Sequence, residues 1–123
     1  MYRYRAIVQR VVDGDTYDLV IDVGFYMTLT TRVRLRGVDT PEVRGESRAA
    51  GLVASAWVKE RLPEGCAVLV RTYKMGKFGR YIADVYYVPG APDATAERLE
   101  AEGIDLAGAL LAAGMAVVME GGV

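Results

Sequence analysis

The chain has 123 residues, of which 52% are hydrophobic and 25% are charged, values that are ordinary for one compact domain with a single core. It contains no histidine, which excludes histidine triads, histidine-ligated zinc and histidine general bases. Any acid–base chemistry must therefore use carboxylates, tyrosine or lysine. Any metal site must be built from oxygen donors, which favours calcium or magnesium. We expect a single domain over residues 1–123.

The charges are unevenly distributed along the chain, although the net charge is only −1. Residues 1–80 contain 14 basic and 9 acidic residues, whereas residues 81–123 contain 1 and 7. A net charge near zero argues against a broad cationic surface for nucleic acid. It permits a focused positive site, because local fields matter more than net charge when an anion binds.

The sequence contains no pattern typical of secretion or membrane insertion. The first residues, MYRYRAIVQR, read as a strand and not as a charged head followed by an apolar run. The longest uncharged apolar stretch, Leu106 to Met119, is shorter than the about 20 residues needed to cross a bilayer. The single cysteine, Cys66, allows no internal disulfide and is expected to be a buried thiol. We expect an intracellular protein with no membrane partner, with secretion of a longer precursor left open.

Three strands are predicted in the first third of the chain. Tyr4–Val12 is rich in β-branched and aromatic residues, while Tyr17–Val23 and Thr30–Arg36 alternate between apolar and polar positions. The turn signals DGDT at 13–16 and GFYMTL at 24–29 separate these strands. In the third strand, alternation places the arginines on the face opposite the apolar residues.

The rest of the chain predicts helices and two further strands. Helical spacing of apolar residues predicts a helix over Glu46–Arg61, and buried strands are predicted at Cys66–Thr72 and Tyr81–Val88. An acidic connection at 89–103, with a short helix near 95–102, precedes a last apolar helix that Asp105 caps. Mostly antiparallel strands with a helix inserted after the third predict a mostly β, α+β fold. We expect a five-stranded barrel of the OB type with two to three helices.

A hairpin register predicts which charges meet. If the second and third strands pair around Met27, opposite charges face each other across the hairpin, which is the favourable arrangement. The expected pairs are Asp22 with Arg32 and Asp18 with Arg36.

The same register leaves Arg34 without a carboxylate partner and brings Asp15 beside Asp39, 24 positions away. Neighbouring carboxylates repel each other, so such a pair indicates a cation or a shifted pKa. We therefore consider Asp15 and Asp39 candidate metal ligands. Thr40 is a third candidate, because it precedes Pro41 and the extended backbone that this favours would allow its carbonyl to point at a cation. The alternative is that DGDT and VDTP are ordinary turns.

Glu42 is a candidate general base, because it follows Asp39 by three residues and no histidine is present for this task. The alternative is a solvated acid in a loop that leads into a helix.

Arg34 and Arg80 are candidates for a phosphate clamp, because guanidinium groups give bidentate hydrogen bonds to phosphate oxygens. Lys74, Lys77 and Phe78, near Arg80, suit a nucleic-acid strand, with charge for its backbone and a ring for stacking on its bases. The alternative is a set of solvent-exposed cations on a strand and a hairpin.

Five segments, in order and spacing, resemble the staphylococcal nuclease-like (thermonuclease) domain family. They are VVDGDTYDL, TRVRLRGVDTPE, a helix containing ASAW, KFGRYIADVY and LLAAGMA, which together run from residue 11 to about residue 116. The resemblance implies an OB-like barrel with helices and calcium-dependent hydrolysis of phosphodiester bonds in DNA and RNA, with 3′-phosphate products.

The resemblance also implies a role for each candidate residue. It gives Asp15 and Asp39 as calcium carboxylates and the Thr40 carbonyl as a further ligand, with magnesium as the alternative ion. Glu42 would be the general base, and Arg34 and Arg80 would stabilise the five-coordinate phosphorus of the transition state.

Several positions depart from the family pattern. Phe78 stands where the secreted prototype has a tyrosine, Glu120 stands near the place of another, and residues 89–103 are an insertion. The alternative function is a non-catalytic OB-type module that binds nucleic acid or a peptide. We expect DNA and RNA as partners, and a monomer or a weak homodimer.

Overall fold

The computed structural model describes residues 3–75 and 81–119, and for residues 74 and 75 the backbone alone. The predicted strands and helices are present with small changes at their ends. In chain order the elements are β1 (Arg3–Asp13), β2 (Thr16–Gly24), β3 (Met27–Leu35), β4 (Val38–Asp39), a 3-10 turn (Gly45–Ser47), α1 (Arg48–Arg61), β5 (Ala67–Met75), β6 (Tyr81–Tyr87), α2 (Ala96–Glu102), β7 (Ile104–Asp105), α3 (Leu106–Ala112) and β8 (Val117–Val118).

A parallel pairing closes the sheet into a barrel. The strands follow the order β3-β2-β1-β5-β6 with antiparallel neighbours, and β3 then pairs with β6 in parallel. Register shifts in β1 after Val8 and after Val11 mark β-bulges, which bend a strand and increase its twist. The five-stranded, OB-like barrel predicted from the sequence is confirmed.

Two apolar clusters hold the helices on the barrel. The main core fills the barrel and packs α1 and α3 against it, with fully buried residues such as Leu19, Leu35, Val58 and Leu106. A smaller cluster lies under α2, where Leu99 is 1% exposed. The acidic connection at 89–103 is thus an integral part of the fold, and its predicted helix begins with the Thr95 hydroxyl accepting from the Arg98 amide at 3.2 Å.

The hairpin register differs from the prediction by four residues. Asp18 lies opposite Arg32, to which it is hydrogen-bonded at 2.8 Å and 3.3 Å, and Asp22 lies opposite Thr28. The expected pairs were wrong because the hairpin turns tightly at 25–26 and not around Met27. A shift by an even number of residues keeps every side chain on its predicted face, so alternation alone does not reveal it.

Arg36, which was expected to pair with Asp18, has other partners. Its guanidinium lies over the Tyr73 ring, 4.3 Å from the centroid, and 4.0 Å from the Asp84 carboxylate. The Tyr73 hydroxyl donates to Asp84 at 2.7 Å, and this hydrogen bond raises the pKa of Tyr73. The cysteine prediction is confirmed, because Cys66 is buried and free, and burial raises the pKa of its thiol.

Within the described part of the chain, no helix has both the length and the apolar character required to cross a bilayer.

Candidate active site

Arg34 lies at the end of β3, where the chain turns back over it. Its side chain is 9% exposed, and its Nη1 donates to the carbonyls of Leu35 at 3.0 Å and Val38 at 2.9 Å. The expectation that Arg34 has no carboxylate partner was wrong. The turn between β3 and β4 covers the guanidinium, and barrel closure places Arg34 beside Ile82 of β6. The local alternation of apolar and polar residues does not predict that long-range contact.

Two carboxylates share the Arg34 guanidinium. Asp39 accepts from Nη2 in a close ion pair, and Asp15 Oδ2 lies 3.5 Å from Nη1. Asp15 is buried and also accepts from the Thr16 hydroxyl at 3.0 Å and from the Thr40 amide at 2.9 Å. The structure therefore brings the two acids to one place, with Arg34 as their counter-ion.

Thr40 has a buried hydroxyl that lacks a hydrogen-bond partner within the described residues. The residue is 8% exposed, and its side chain lies against Gly14, where even a methyl group would collide with it. Leaving a buried hydroxyl unpaired costs about 1–3 kcal/mol. An unsatisfied oxygen on the residue that follows Asp39, and whose amide donates to Asp15, fits the donor set of a hard cation such as calcium.

Tyr17 is a site residue that the sequence reading missed. It is fully buried, and its hydroxyl donates a hydrogen bond to the Gly14 carbonyl. Burial raises the pKa of Tyr17 well above its usual value, the Asp15 charge raises it further, and Arg34 opposes this. Tyr17 thus holds the DGDT turn that carries Asp15. The available signal was a tyrosine at an inward position two residues after Asp15.

Glu42 lies on a loop that two hydrogen bonds hold and that approaches α1 closely. The Val43 amide donates to Asp13 at 3.3 Å, the Ser47 hydroxyl donates to the Glu42 carbonyl at 2.9 Å, and Gly51 of α1 leaves room for that carbonyl. The Glu42 side chain itself is exposed and lies 3.4 Å from Arg44. The structure does not bring the Glu42 carboxylate to Asp15 and Asp39, and the described residues contain no group of three or more acids or cysteines placed to hold a metal ion.

The remaining candidates lie outside the description. Arg80, Lys77 and Phe78 fall in the gap between β5 and β6, and Lys74 is described by its backbone alone. Their expected roles in phosphate and strand binding stay predictions.

An open cleft lies beside the VDTP segment. Its volume is about 320 Å³, and it is bounded by Asp39, Thr40 and Pro41 on one side and by residues 114–117 on the other. The pairing of β4 with β8 holds these walls together, with Asp39 opposite Val117. The cleft gives solvent and a ligand direct access to Asp39.

The comparison with known families agrees with this geometry. The sequence model described as staphylococcal nuclease homologue matches residues 32–122, which contain Arg34, Asp39, Thr40 and Glu42; Asp15 precedes the matched part. No curated protein matches the chain. Because the match covers about three quarters of the sequence and the barrel is the one expected, the chain belongs to the staphylococcal nuclease homologue family.

Proposed function

We propose that this protein is a calcium-dependent nuclease that hydrolyses phosphodiester bonds of DNA and RNA and leaves 3′-phosphate ends. Membership of the family indicates a nuclease or a nucleic-acid-binding function. The observation that carries the catalytic proposal is that Asp15 and Asp39 share one buried guanidinium beside an open cleft, with the Thr40 amide hydrogen-bonded to Asp15.

The donor atoms at this place suit calcium. Asp15 and Asp39 would supply carboxylate oxygens, and Thr40 would supply the carbonyl predicted from the sequence. The Thr40 hydroxyl is a further candidate, because it has no hydrogen-bond partner within the described residues. All are hard donors, which calcium accepts in flexible numbers together with water, and magnesium accepts with stricter geometry. The bound ion would neutralise part of the phosphate charge.

The chain's own residues would carry the proton and the phosphate charge. Glu42 would take a proton from the attacking water as that water bonds to phosphorus, and the bond from phosphorus to the 5′-oxygen would break. The leaving 5′-oxygen takes a proton from solvent water, and the phosphate stays on the 3′-oxygen. Arg34 and Arg80 would donate to the equatorial oxygens of the five-coordinate phosphorus, where charge accumulates.

The Glu42 side chain would have to leave Arg44 to act as the base. That ion pair is exposed, and exposed pairs contribute at most about 1 kcal/mol. Catalytic hydrogen bonds commonly form only once the substrate is bound. The pair with Arg44 is therefore a small barrier to the proposed role.

The experiment incubates the protein with plasmid, single-stranded DNA and RNA, with calcium or with a chelator, followed by labelling of product ends. The proposal predicts cleavage with calcium, loss of cleavage with chelator, recovery on adding calcium back, and ends that accept label only after the 3′-phosphate is removed. Nucleic acid that is bound but stays intact at micromolar protein with calcium would instead indicate the non-catalytic binding module.

A further inference from the structure

The turn between β2 and β3 carries two aromatic residues in a backbone conformation that such residues rarely adopt. Phe25 and Tyr26 have φ angles of 56° and 58°, both in the left-handed region. Tight hairpin turns of this kind prefer Asn-Gly or Gly-Gly, and a left-handed residue with a side chain costs about 1–2 kcal/mol. The folding of the hairpin alone therefore favours other residues at these two positions.

The two rings make little contact within the chain. Phe25 is 94% exposed and Tyr26 is fully exposed. Apolar exposure continues along both strands, with Met27 62% exposed, Leu29 44% and Val23 37%. Contiguous apolar surface of this kind marks an interaction site more often than a solvated one. We call residues 23–29 the aromatic tip.

A pocket opens in the barrel directly behind the aromatic tip. Its volume is about 190 Å³, and its lining includes Val23 and Leu29 from the tip and the three tyrosines Tyr4, Tyr73 and Tyr81. An apolar cavity of about 150 Å³ is enough to hold a benzene ring. A projecting ring and a cavity of matching size thus lie side by side at the same end of the barrel.

We propose that this end of the barrel is a two-fold interface, in which the aromatic tip of one copy enters the barrel mouth of a second copy. A two-fold axis pairs each surface patch with itself, so a projection beside a cavity is self-complementary. An aromatic side chain buries about 150–250 Å², so two from each copy, with the apolar rim, reach about 1,000 Å² in total. That area lies at the lower end of specific interfaces and predicts a concentration-dependent dimer.

The lack of charge within the aromatic tip itself favours an apolar partner surface over an anionic one. Residues 23–31 contain no charged side chain, and the nearest one along β2 is Asp22. The tip is also separated from Asp15 by the length of β2, about 26 Å at the usual strand rise, so the dimer leaves Asp15 and Asp39 accessible.

The test compares sedimentation of the whole chain and of variants from micromolar to near-millimolar concentration. The wild type should shift from monomer to dimer. The double substitution Phe25→Asn with Tyr26→Gly should stay monomeric while its melting temperature is equal or higher, because these residues suit the turn. Leu29→Lys, at the pocket rim, should also remain monomeric. Val53→Asn removes a similarly exposed apolar side chain from α1 and should dimerise like the wild type.

Three results would overturn the proposal. They are a wild type that stays monomeric at the highest concentration, a double variant that dimerises like the wild type, and a monomeric wild type that co-sediments with phosphatidylcholine vesicles through Phe25 and Tyr26. The last result would assign the tip to a lipid surface. The outcome is independent of nuclease activity, because cleavage is not measured.

Discussion

At the scale of single residues, Arg34 governs the electrostatics of the site. Its Nη1 is held by two backbone carbonyls, whereas its Nη2 is held by Asp39, whose side chain is half exposed. In the proposed reaction the same two carboxylates would bind calcium, and the same guanidinium would bind phosphate. A cation and Arg34 therefore compete for Asp15 and Asp39, and calcium would free the Nη2 edge for a substrate.

Arg34→Gln tests this competition. Removing one member of a mostly buried ion pair leaves the carboxylates uncompensated, so the calcium-free variant should lose about 3 kcal/mol of unfolding free energy. Calcium should then bind more tightly than in the wild type, because no internal cation opposes it. Calorimetry measures the affinity, and thermal unfolding with and without calcium measures the stabilisation.

Arg32→Gln is the matched control, because Arg32 lies two residues earlier on the same strand in an exposed pair with Asp18. It should change stability by less than about 1 kcal/mol and leave calcium affinity unchanged. Equal calcium affinity in the wild type and Arg34→Gln would refute the competition.

At the scale of elements, the approach of α1 to the loop that carries Glu42 depends on Gly51. A Cβ at this position would overlap the backbone carbonyl of Glu42, which cannot rotate away as a side chain can. Gly51→Ala should therefore displace the loop, lower the rate of cleavage at least tenfold and reduce stability, although alanine is the better helix former by about 1 kcal/mol.

Gly108→Ala makes the same substitution in α3. A Cβ there would lie 3.5 Å from Asp105 Oδ2, an ordinary contact. We expect unchanged activity and a melting temperature that is equal or higher. If the Gly51 variant matched the Gly108 variant in stability and rate, the loop would not depend on close approach to the helix.

The start of α3 predicts a pH dependence of stability. Burial raises the pKa of Asp105, the Asp84 charge raises it further, and the amides of Ala107 and Gly108 oppose this. Because the pKa of Asp105 is higher in the folded state than in the unfolded state, the folded state loses stability as the pH rises from the unfolded pKa to the folded pKa. Asp105→Asn should thus be more stable at pH 7, and the difference should vanish once the pH falls below the unfolded pKa of aspartate, about 3.9.

Denaturant unfolding at several pH values measures this difference. Asn is as favourable as Asp at a helix N-cap position, so the substitution keeps a suitable residue at the start of α3. Asp93→Asn, an exposed acid in the connection, controls for the change in net charge. A stability gain for Asp105→Asn that persists at acid pH would contradict the assignment.

The sequence predicted the strands of the hairpin but not how they pair. The alternation of apolar and polar residues predicted the second and third strands and their faces correctly, because the residues of the buried face must be apolar. It did not specify the register, because the turn at Phe25 and Tyr26 lacks the glycine or asparagine that would have marked it.

The site was predictable to the extent that its residues lie in local turn motifs. Asp15, Asp39 and Thr40 stood out as turn residues, and the structure brings them together. The burial of Arg34 depends on barrel closure, and the role of Gly51 depends on the packing of a helix against a loop. Contacts of this kind join distant parts of the chain and leave no periodic signal.

At the scale of the whole molecule, the barrel separates two kinds of surface. The polar site lies where β3 ends and β2 begins, and the aromatic tip lies at the other end of the same hairpin. The proposed nuclease and the proposed dimer therefore use different ends of one hairpin. Substitutions at the tip should change the oligomeric state without removing any group assigned to cleavage.

The most direct test of the nuclease proposal is the rate of calcium-dependent cleavage of single-stranded DNA by the wild type, Glu42→Gln and Glu46→Gln. Glu46 is an exposed acid four residues further along the chain, so its variant controls for the loss of one charge.

A general base contributes about 10²–10⁴-fold. Glu42→Gln should therefore be at least a hundredfold slower than the wild type, with an unchanged melting temperature, while Glu46→Gln keeps its rate. No cleavage by the wild type with calcium, or near-equal rates for Glu42→Gln and the wild type, would contradict the account.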